Sequence, residues 1–388
     1  MAISEFDSIA RAGEQPLSVV ILGLRGFPNV QGGVESHVEN LAPLLIERGC
    51  RVEVIVRSPY MPRQRPNEWR GVRFCYLWCP KTKSLEAIVH TFLGIIVASL
   101  KRPDILHIHA VGPSVLVPLA RLLGMPVVVT HHGPDYVREK WGMFARTILR
   151  LGEYAGMRFS NARIAISRTI QTVIREKFNR QSILIPNGVP AQRLTAPGTT
   201  LERFALRPRR FILIVGRLVP EKRHMDLIQA FQAANLDGWM LVIVGASDHP
   251  DEYARKVLSA IDQTPGVVAT GFQTGEALRE IYSNAGMFVL PSSHEGLPIA
   301  LLEALSYGLP SIASRIPANL EVGLPPDYYF PVGDVGALSA CIRARVDEGF
   351  SDREAGDRRE WVSRQYSWPD IASRTIDVYR ETIKGLPS

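Results

Sequence analysis

Two carboxylates, Glu295 and Glu303, have seven residues between them in the stretch FVLPSSHEGLPIALLEALSYGLPSIAS, Phe288 to Ser314. Glu303 is surrounded by Ala300, Leu301, Leu302, Ala304 and Leu305, on a helix with little polar surface. A carboxylate placed there needs a hydrogen-bonding partner; a solvated helix residue and a plain loop charge are the alternatives. Two cations, Arg217 and Lys222, lie in the loop GRLVPEKR. Fixed cations beside a helix start can neutralise a departing diphosphate without metal, or they are exposed loop charges. Gly32-Gly33 ahead of a helix lets backbone approach a phosphate closely, or makes a tight structural turn. The pair His131-His132 could be a metal-site fragment, but no third ligand is near in sequence, and no metal site is expected.

The elements that must position these residues are strands and helices in alternation. Met287 to Leu290 is an apolar run bounded like a buried parallel strand. Pro298 suits a first helical turn, the helix Ile299 to Tyr307 stops at Gly308 with Pro310 beyond, and Ser311 to Ser314 is the next strand. Such a strand–loop–helix leaves free N–H groups at the carboxyl end of a sheet, where anions bind. Near the start, strand Leu17 to Leu22, a loop to Gly33, helix Val34 to Arg48 and strand Arg51 to Val56 open a βαβ unit. The loop is not GxGxxG, and Arg57 follows the second strand where a nicotinamide-dinucleotide site would place an acid. No GxxxxGK[ST] occurs. A hairpin-like region with Pro59, Pro62, Pro66 and Trp69, strand Val72 to Trp78, and an apolar-faced helix Leu85 to Leu100 follow; that face packs in the core or meets a membrane. Strands are expected at Ile105 to His109, Val127 to Thr130, Ala162 to Ser167 and Ser182 to Pro186, and residues 190–209 read as a linker. The pattern restarts with strand Phe211 to Val215 and helix Met225 to Ala234, then strands Leu241 to Val244 and Val267 to Gly271. A helix start at Asp334, a charged helix Asp352 to Gln365 and an amphipathic tail complete it.

At 388 residues the chain exceeds the size at which single cores split, so two domains are expected. Net charge is +7, but residues 1–185 hold 24 Lys+Arg against 14 Asp+Glu (+10) and the remainder 21 against 24 (−3). A basic first half suggests a polyanionic partner, such as an anionic membrane surface or a phosphorylated acceptor. Arg57, Arg63, Arg65, Arg70 and Arg73 cluster near Pro62 and Trp69. Nucleic acid is not an expected partner. The four cysteines, Cys50, Cys75, Cys79 and Cys341, have no CxxC or zinc spacing and read as free thiols in a reducing cytosol. Residues 1–16 read as a flexible tail, neither signal peptide nor anchor. The apolar run Ile88 to Leu100 is shorter than the roughly 20 residues a membrane span needs.

The Glu-x7-Glu stretch, with its flanking EGxP, EAxxxGxP and terminal Ser, resembles the signature of the retaining GT-B glycosyltransferases of family four. RGFPNVQGGVESH looks like a bacterial subgroup linked to exopolysaccharide or O-antigen assembly, and VVVTHHGPDYVREKWG and PNGV resemble the family's His-bearing loop and the end of its first domain. The resemblance covers roughly residues 17–380. It implies an α/β, GT-B fold: two facing, doubly wound Rossmann-like domains with an interdomain cleft. These are an acceptor-side domain over 17–195, a donor domain over 205–367, and a helix over 368–388 crossing back to the first domain. It implies that Glu295 contacts the transferred sugar, Glu303 holds the ribose hydroxyls, and Arg217 and Lys222 hold the donor pyrophosphate. The amides of Gly32, Gly33, Gly296 and Leu297 would join that anion site, the base would lie near Gly271 and Phe272, and His132 would touch the donor sugar or its phosphate. Asp135, Arg138 and Lys140 point to an acceptor role or are a solvated charge run. No D-x-D occurs, so a metal-bridged diphosphate is not supported. The expected activity is metal-independent, retaining transfer, with no cofactor, from a nucleoside-diphosphate sugar to a lipid-linked or oligosaccharide acceptor. The expected place is the cytoplasm, at the inner face of a bacterial membrane. GDP-mannose, UDP-hexoses and dTDP-rhamnose are all open as donors. A GT-B sugar-nucleotide epimerase and a catalytically silent partner subunit are the rivals, the latter disfavoured by the presence of Arg217, Lys222, Glu295 and Glu303.

Overall fold

The computed structural model describes residues 16–28, 30, 32–80, 86–134, 136, 142–247 and 252–386. The chain divides into two units, Met1–Gly188 with Trp368–Ser388, and Val189–Ser367. The tail up to residue 15 and the acceptor-side candidates Asp135, Arg138 and Lys140 lie outside the described residues.

The first unit runs β1 (Ser18–Leu22), α1 (Gly33–Glu47), β2 (Arg51–Arg57), β3 (Glu68–Trp69), β4 (Val72–Leu77), α2 (Glu86–Lys101) and β5 (Ile105–His109). It continues with α3 (Val117–Leu122), β6 (Val127–His131), α4 (Met143–Phe159), β7 (Ala162–Ala165), α5 (Arg168–Phe178) and β8 (Ile183–Leu184). Its sheet order is β3-β4-β2-β1-β5-β6-β7-β8, parallel except for the β3–β4 hairpin. Strand β1, an unbroken apolar run, lies at the centre between β2 and β5 because both its faces are covered by helices. The chain winds one way from β1 to β2 and the other way to β5. That makes the carboxyl end of β1 a switch point, where loops splay apart and sites form.

The second unit holds α6 (Thr199–Arg203), β9 (Phe211–Val215), α7 (His224–Ala234), β10 (Met240–Val244), α8 (Glu252–Gln263), β11 (Val267–Gly271) and α9 (Gly275–Asn284). Then come β12 (Met287–Leu290), α10 (Ile299–Ser306), β13 (Ser311–Ser314), α11 (Pro317–Leu320), β14 (Tyr329–Phe330), α12 (Val335–Glu348) and α13 (Asp352–Gln365). The sheet order is β11-β10-β9-β12-β13-β14, with every neighbouring pair parallel, so its switch point lies between β9 and β12. Asp334 caps α12, its carboxylate accepting from the Ala337 N–H at 2.8 Å.

The last helix, α14 (Trp368–Lys384), belongs to the first unit. Its Ile371, Ile376 and Tyr379 are buried with Leu41 and Leu45 of α1 in one core cluster. Each of the isoleucines and leucines contributes about 1.5–3 kcal/mol by leaving water.

Three expectations need correction. Residues 190–209 are not a bare linker, and the first unit does not run to 195. The chain enters the second unit at Val189, and the Glu280 carboxylate there accepts from the amides of Gly198, Thr200 and Leu201 at 2.8–3.2 Å, anchoring α6. Two helices stand where the sequence reading names none, α4 between β6 and β7 and α5 between β7 and β8. Arg57 is not part of a surface basic cluster. It ends a central strand, is buried, and is ion-paired with Glu86 at 2.9 Å, while Arg63, Arg65, Arg70 and Arg73 are exposed. All four cysteines are free thiols, with Cys50 and Cys79 buried.

Candidate active site

In the second unit the loops after β9 and β12 flank the switch point. The first carries Arg217, half-buried, and Lys222; the second carries Glu295. Backbone brings them together: the Ser293 N–H donates to the Glu221 carbonyl at 2.8 Å. Lys222 then reaches Glu295, Nζ to Oε1 2.6 Å, with both side chains largely buried. The close approach of β9 and β10 ends requires glycine. A Cβ at Gly245, whose φ is +148°, would sit 1.9 Å from the Gly216 carbonyl oxygen. Gly216 in turn lies flat beneath the Lys222 stem, its Cβ position 3.4 Å from Cε.

Glu303 has the partner its apolar setting demands: the Tyr282 hydroxyl donates to Oε2 at 3.0 Å. Tyr282 is fixed by stacking on Tyr307, centroids 4.9 Å apart and rings 4° from parallel. Burial pushes the Glu303 carboxyl up to about 7, against the Tyr282 hydrogen bond and the Lys222 charge, which pull it down. So three groups, Lys222, Glu295 and Glu303, are linked through one short stretch of loop and helix. Helix α10 begins at Ile299, not at Gly296-Leu297. Leu297 is buried, its carbonyl accepts the Ile299 N–H, and Gly296 is half-buried in the loop before it. Gly271 ends β11 at φ +71° and its carbonyl accepts the Gly245 N–H; Phe272 beside it is exposed.

In the first unit, Gly32 precedes α1 in an extended conformation. Glycine is required there by space: a Cβ would meet the Glu35 carboxylate at 1.9 Å. Glu35 folds back to accept from the Arg25 N–H and Nε, each at 3.1 Å, closing the loop after β1. Gly33 is the exposed first residue of α1. At the end of β6, His132 Nε2 lies 3.0 Å from His109 Nδ1. His109 is the last residue of β5, and His37 of α1 packs on both rings, centroids 5.0 and 5.4 Å away. His107, two residues before His109 on the same face of β5, bridges the Tyr379 hydroxyl and Thr130 Oγ1 at 2.7 Å each. Burial holds these rings neutral, pulling His37 down to about 4, His107 to about 3, and His109 and His132 well below the usual histidine range. His131 does more than pack. It is fully buried and hydrogen-bonded through Nε2 to Glu153 Oε1 of α4 at 3.0 Å, and Glu153 also meets Lys177.

Sequence reasoning missed His37, His107 and His109. The alternation His107-x-His109 on a strand was the available signal, since such residues share a face. It also found no third histidine near His131-His132; the structure supplies neighbours from α1 and β5, far away in sequence.

A model described as Glycosyltransferase Family 4 matches residues 31–193, and one described as Glycosyl transferases group 1 matches residues 202–356. An uncharacterised glycosyltransferase of Methanocaldococcus jannaschii is 24% identical over 384 residues, covering 91% of this chain and 95% of its own. A GDP-mannose:cellobiosyl-diphosphopolyprenol alpha-mannosyltransferase of Xanthomonas oryzae is 27% identical, covering 74% of this chain and 77% of its own. Among solved structures, a sucrose-phosphate synthase of Thermosynechococcus elongatus superposes with a TM-score of 0.80 at 21% identity, covering 96% of this chain and all of its own.

Proposed function

We propose, from the premise that this chain belongs to the GT-B glycosyltransferases of family-4 type and acts on sugar-nucleotides, that it transfers a sugar with retained anomeric configuration to a lipid-linked saccharide, without a metal ion. The observation that carries the reading is the linked set Lys222, Glu295 and Glu303 beside the second sheet's switch point. Lys222 and Arg217 hold the donor diphosphate with the amides of Gly296 and Leu297, and take up the charge that grows on it as the glycosidic bond breaks. Glu295 gives up part of its hold on Lys222 and orients the transferred sugar. Glu303 accepts from the ribose hydroxyls, and the base lies against Gly271 and Phe272. In the first unit, Gly32 and Gly33 present amides to phosphate and His132 contacts the donor sugar or its phosphate.

Transfer is a front-face displacement. The bond from the anomeric carbon to the diphosphate oxygen breaks and the bond to the acceptor oxygen forms on the same face. The acceptor hydroxyl proton passes to the leaving phosphate oxygen. Purified protein offered GDP-mannose first, given the Xanthomonas relative's name, then UDP-hexoses and dTDP-rhamnose, should retain turnover in EDTA. Turnover abolished by EDTA and restored by magnesium or manganese contradicts metal independence; isomerised donor without any acceptor selects an epimerase.

The lipid-linked acceptor and a place at the inner face of a bacterial membrane rest on the surface of the first unit. No described helix is long and apolar enough to cross a membrane. Phe92, Ile96 and Leu100 on α2 are exposed, as are Met143, Phe144 and Leu151 on α4, with Arg150 and Arg158 beside them. An exposed apolar and basic face of this kind suits an anionic surface, each basic residue adding on the order of 1 kcal/mol. The protein should float with phosphatidylglycerol vesicles and leave them in high salt; equal binding to neutral vesicles, or to none, removes the membrane from the account.

A further inference from the structure

His37, His109 and His132 each offer a ring nitrogen, and the three nitrogens lie within 4.8 Å of one another. They come from three elements: α1, the end of β5 and the residue after β6. Their backbones are fixed. β5 and β6 pair in parallel register, His109 opposite Thr130, and the start of α1 is held by the Arg25–Glu35 closure beneath Gly32. Zinc binds histidine at about 2.0–2.1 Å, so tetrahedral ligand nitrogens stand about 3.3 Å apart. The 3.0 Å between His109 Nδ1 and His132 Nε2 is already close to that spacing.

A second, independent observation points to a ligand. His37 Nδ1 and His109 Nε2 are buried and have no hydrogen-bond partner among the described residues. His37 is 4% exposed and His109 not at all. A buried polar nitrogen left unmatched is costly, and a cation that takes the His37 lone pair removes that cost; His109 would ligate through the Nδ1 that faces His132, not through its unmatched Nε2. Imidazoles suit zinc, copper and nickel, whereas magnesium prefers oxygen. Three histidines also leave a fourth tetrahedral position for water or an anion.

We propose that His37, His109 and His132 form a three-imidazole site for a divalent late transition-metal ion, zinc foremost. The site is separate in kind from the magnesium or manganese that bridges a diphosphate. Since the proposed function puts His132 on the donor, an ion there withdraws that side chain and inhibits transfer; this consequence alone rests on that reading.

The test titrates the purified full chain with zinc against a chromophoric chelator. One ion per chain should bind at micromolar concentration or tighter, magnesium should not compete, and His37→Gln should weaken zinc by about 100-fold. X-ray absorption on the wild-type zinc complex, which needs no variant to fold, should show imidazole nitrogens at about 2.0 Å. No zinc bound at 100 µM ion, a sulfur shell, or unchanged affinity in a His37→Gln chain of normal circular dichroism overturns the site. Zinc bound at this site with transfer unaffected leaves the site standing and removes His132 from the donor.

Discussion

The two switch points share an architecture and differ in electrostatics. Beside β9 and β12, opposite charges meet directly, Lys222 on Glu295, and a second carboxylate, Glu303, stands behind them. Beside β1 and β5, the closest side chains are imidazoles that burial keeps neutral, and the Arg25–Glu35 ion pair is used to close a loop. A ligand carrying two or more negative charges is therefore matched by the second unit's loops, where a cation is already desolvated and aimed. The first unit's imidazoles offer lone pairs and single hydrogen bonds, which serve orientation rather than neutralisation. In a partly dry site that difference matters, because fixed charge acts with far greater strength there than in water.

The largest expected effect breaks the charged side of this comparison. Lys222→Ala should lower transfer by roughly 10²-fold or more at an unchanged melting temperature, since the lost group acts on the charge that grows during reaction. Steady-state turnover within a few-fold of wild type would put the diphosphate elsewhere.

Glu303→Gln sharpens the comparison by removing a carboxylate and keeping its shape. Donor binding, read by calorimetry, should weaken by about 1.5–3 kcal/mol, the worth of a hydrogen bond to a charged group. The pH dependence has a definite sign. A carboxyl raised to about 7 in the fold contributes stability that is present below its unfolded value near 4.5 and is lost as pH rises through 7. The melting temperature of the variant relative to wild type should therefore climb between pH 5 and 8, by roughly 2–4 °C for each kcal/mol recovered. At the same time donor affinity of the wild type should improve over that interval as the carboxylate forms. A flat difference between the two proteins would mean that Glu303 titrates as an exposed acid.

Much of the second unit was legible in the sequence, because its strands are unbroken apolar runs punctuated by glycine and proline. Val267–Gly271, Met287–Leu290 and Ser311–Ser314 stand where those runs are. The need of Glu303 for a partner followed from its apolar neighbours, but Tyr282, one helix earlier, could not be named, since a hydroxyl on a helix gives no local sign of where it points. The first unit was harder. Its histidines converge through β-sheet order and the packing of α1, which neighbouring residues do not encode; only the His107-x-His109 alternation hinted at a shared face. Arg57 was misjudged for the same reason: its partner Glu86, half-buried at the start of α2, lies on the far side of a hairpin.

Everything proposed for transfer depends on the second unit's loops clamping the donor diphosphate. The crystal structure of the chain with a bound nucleoside diphosphate tests it most directly. The diphosphate should lie within hydrogen-bond reach of Lys222 and Arg217, with the ribose hydroxyls on Glu303; a diphosphate that touches neither cation, or a ribose held away from Glu303, would contradict it.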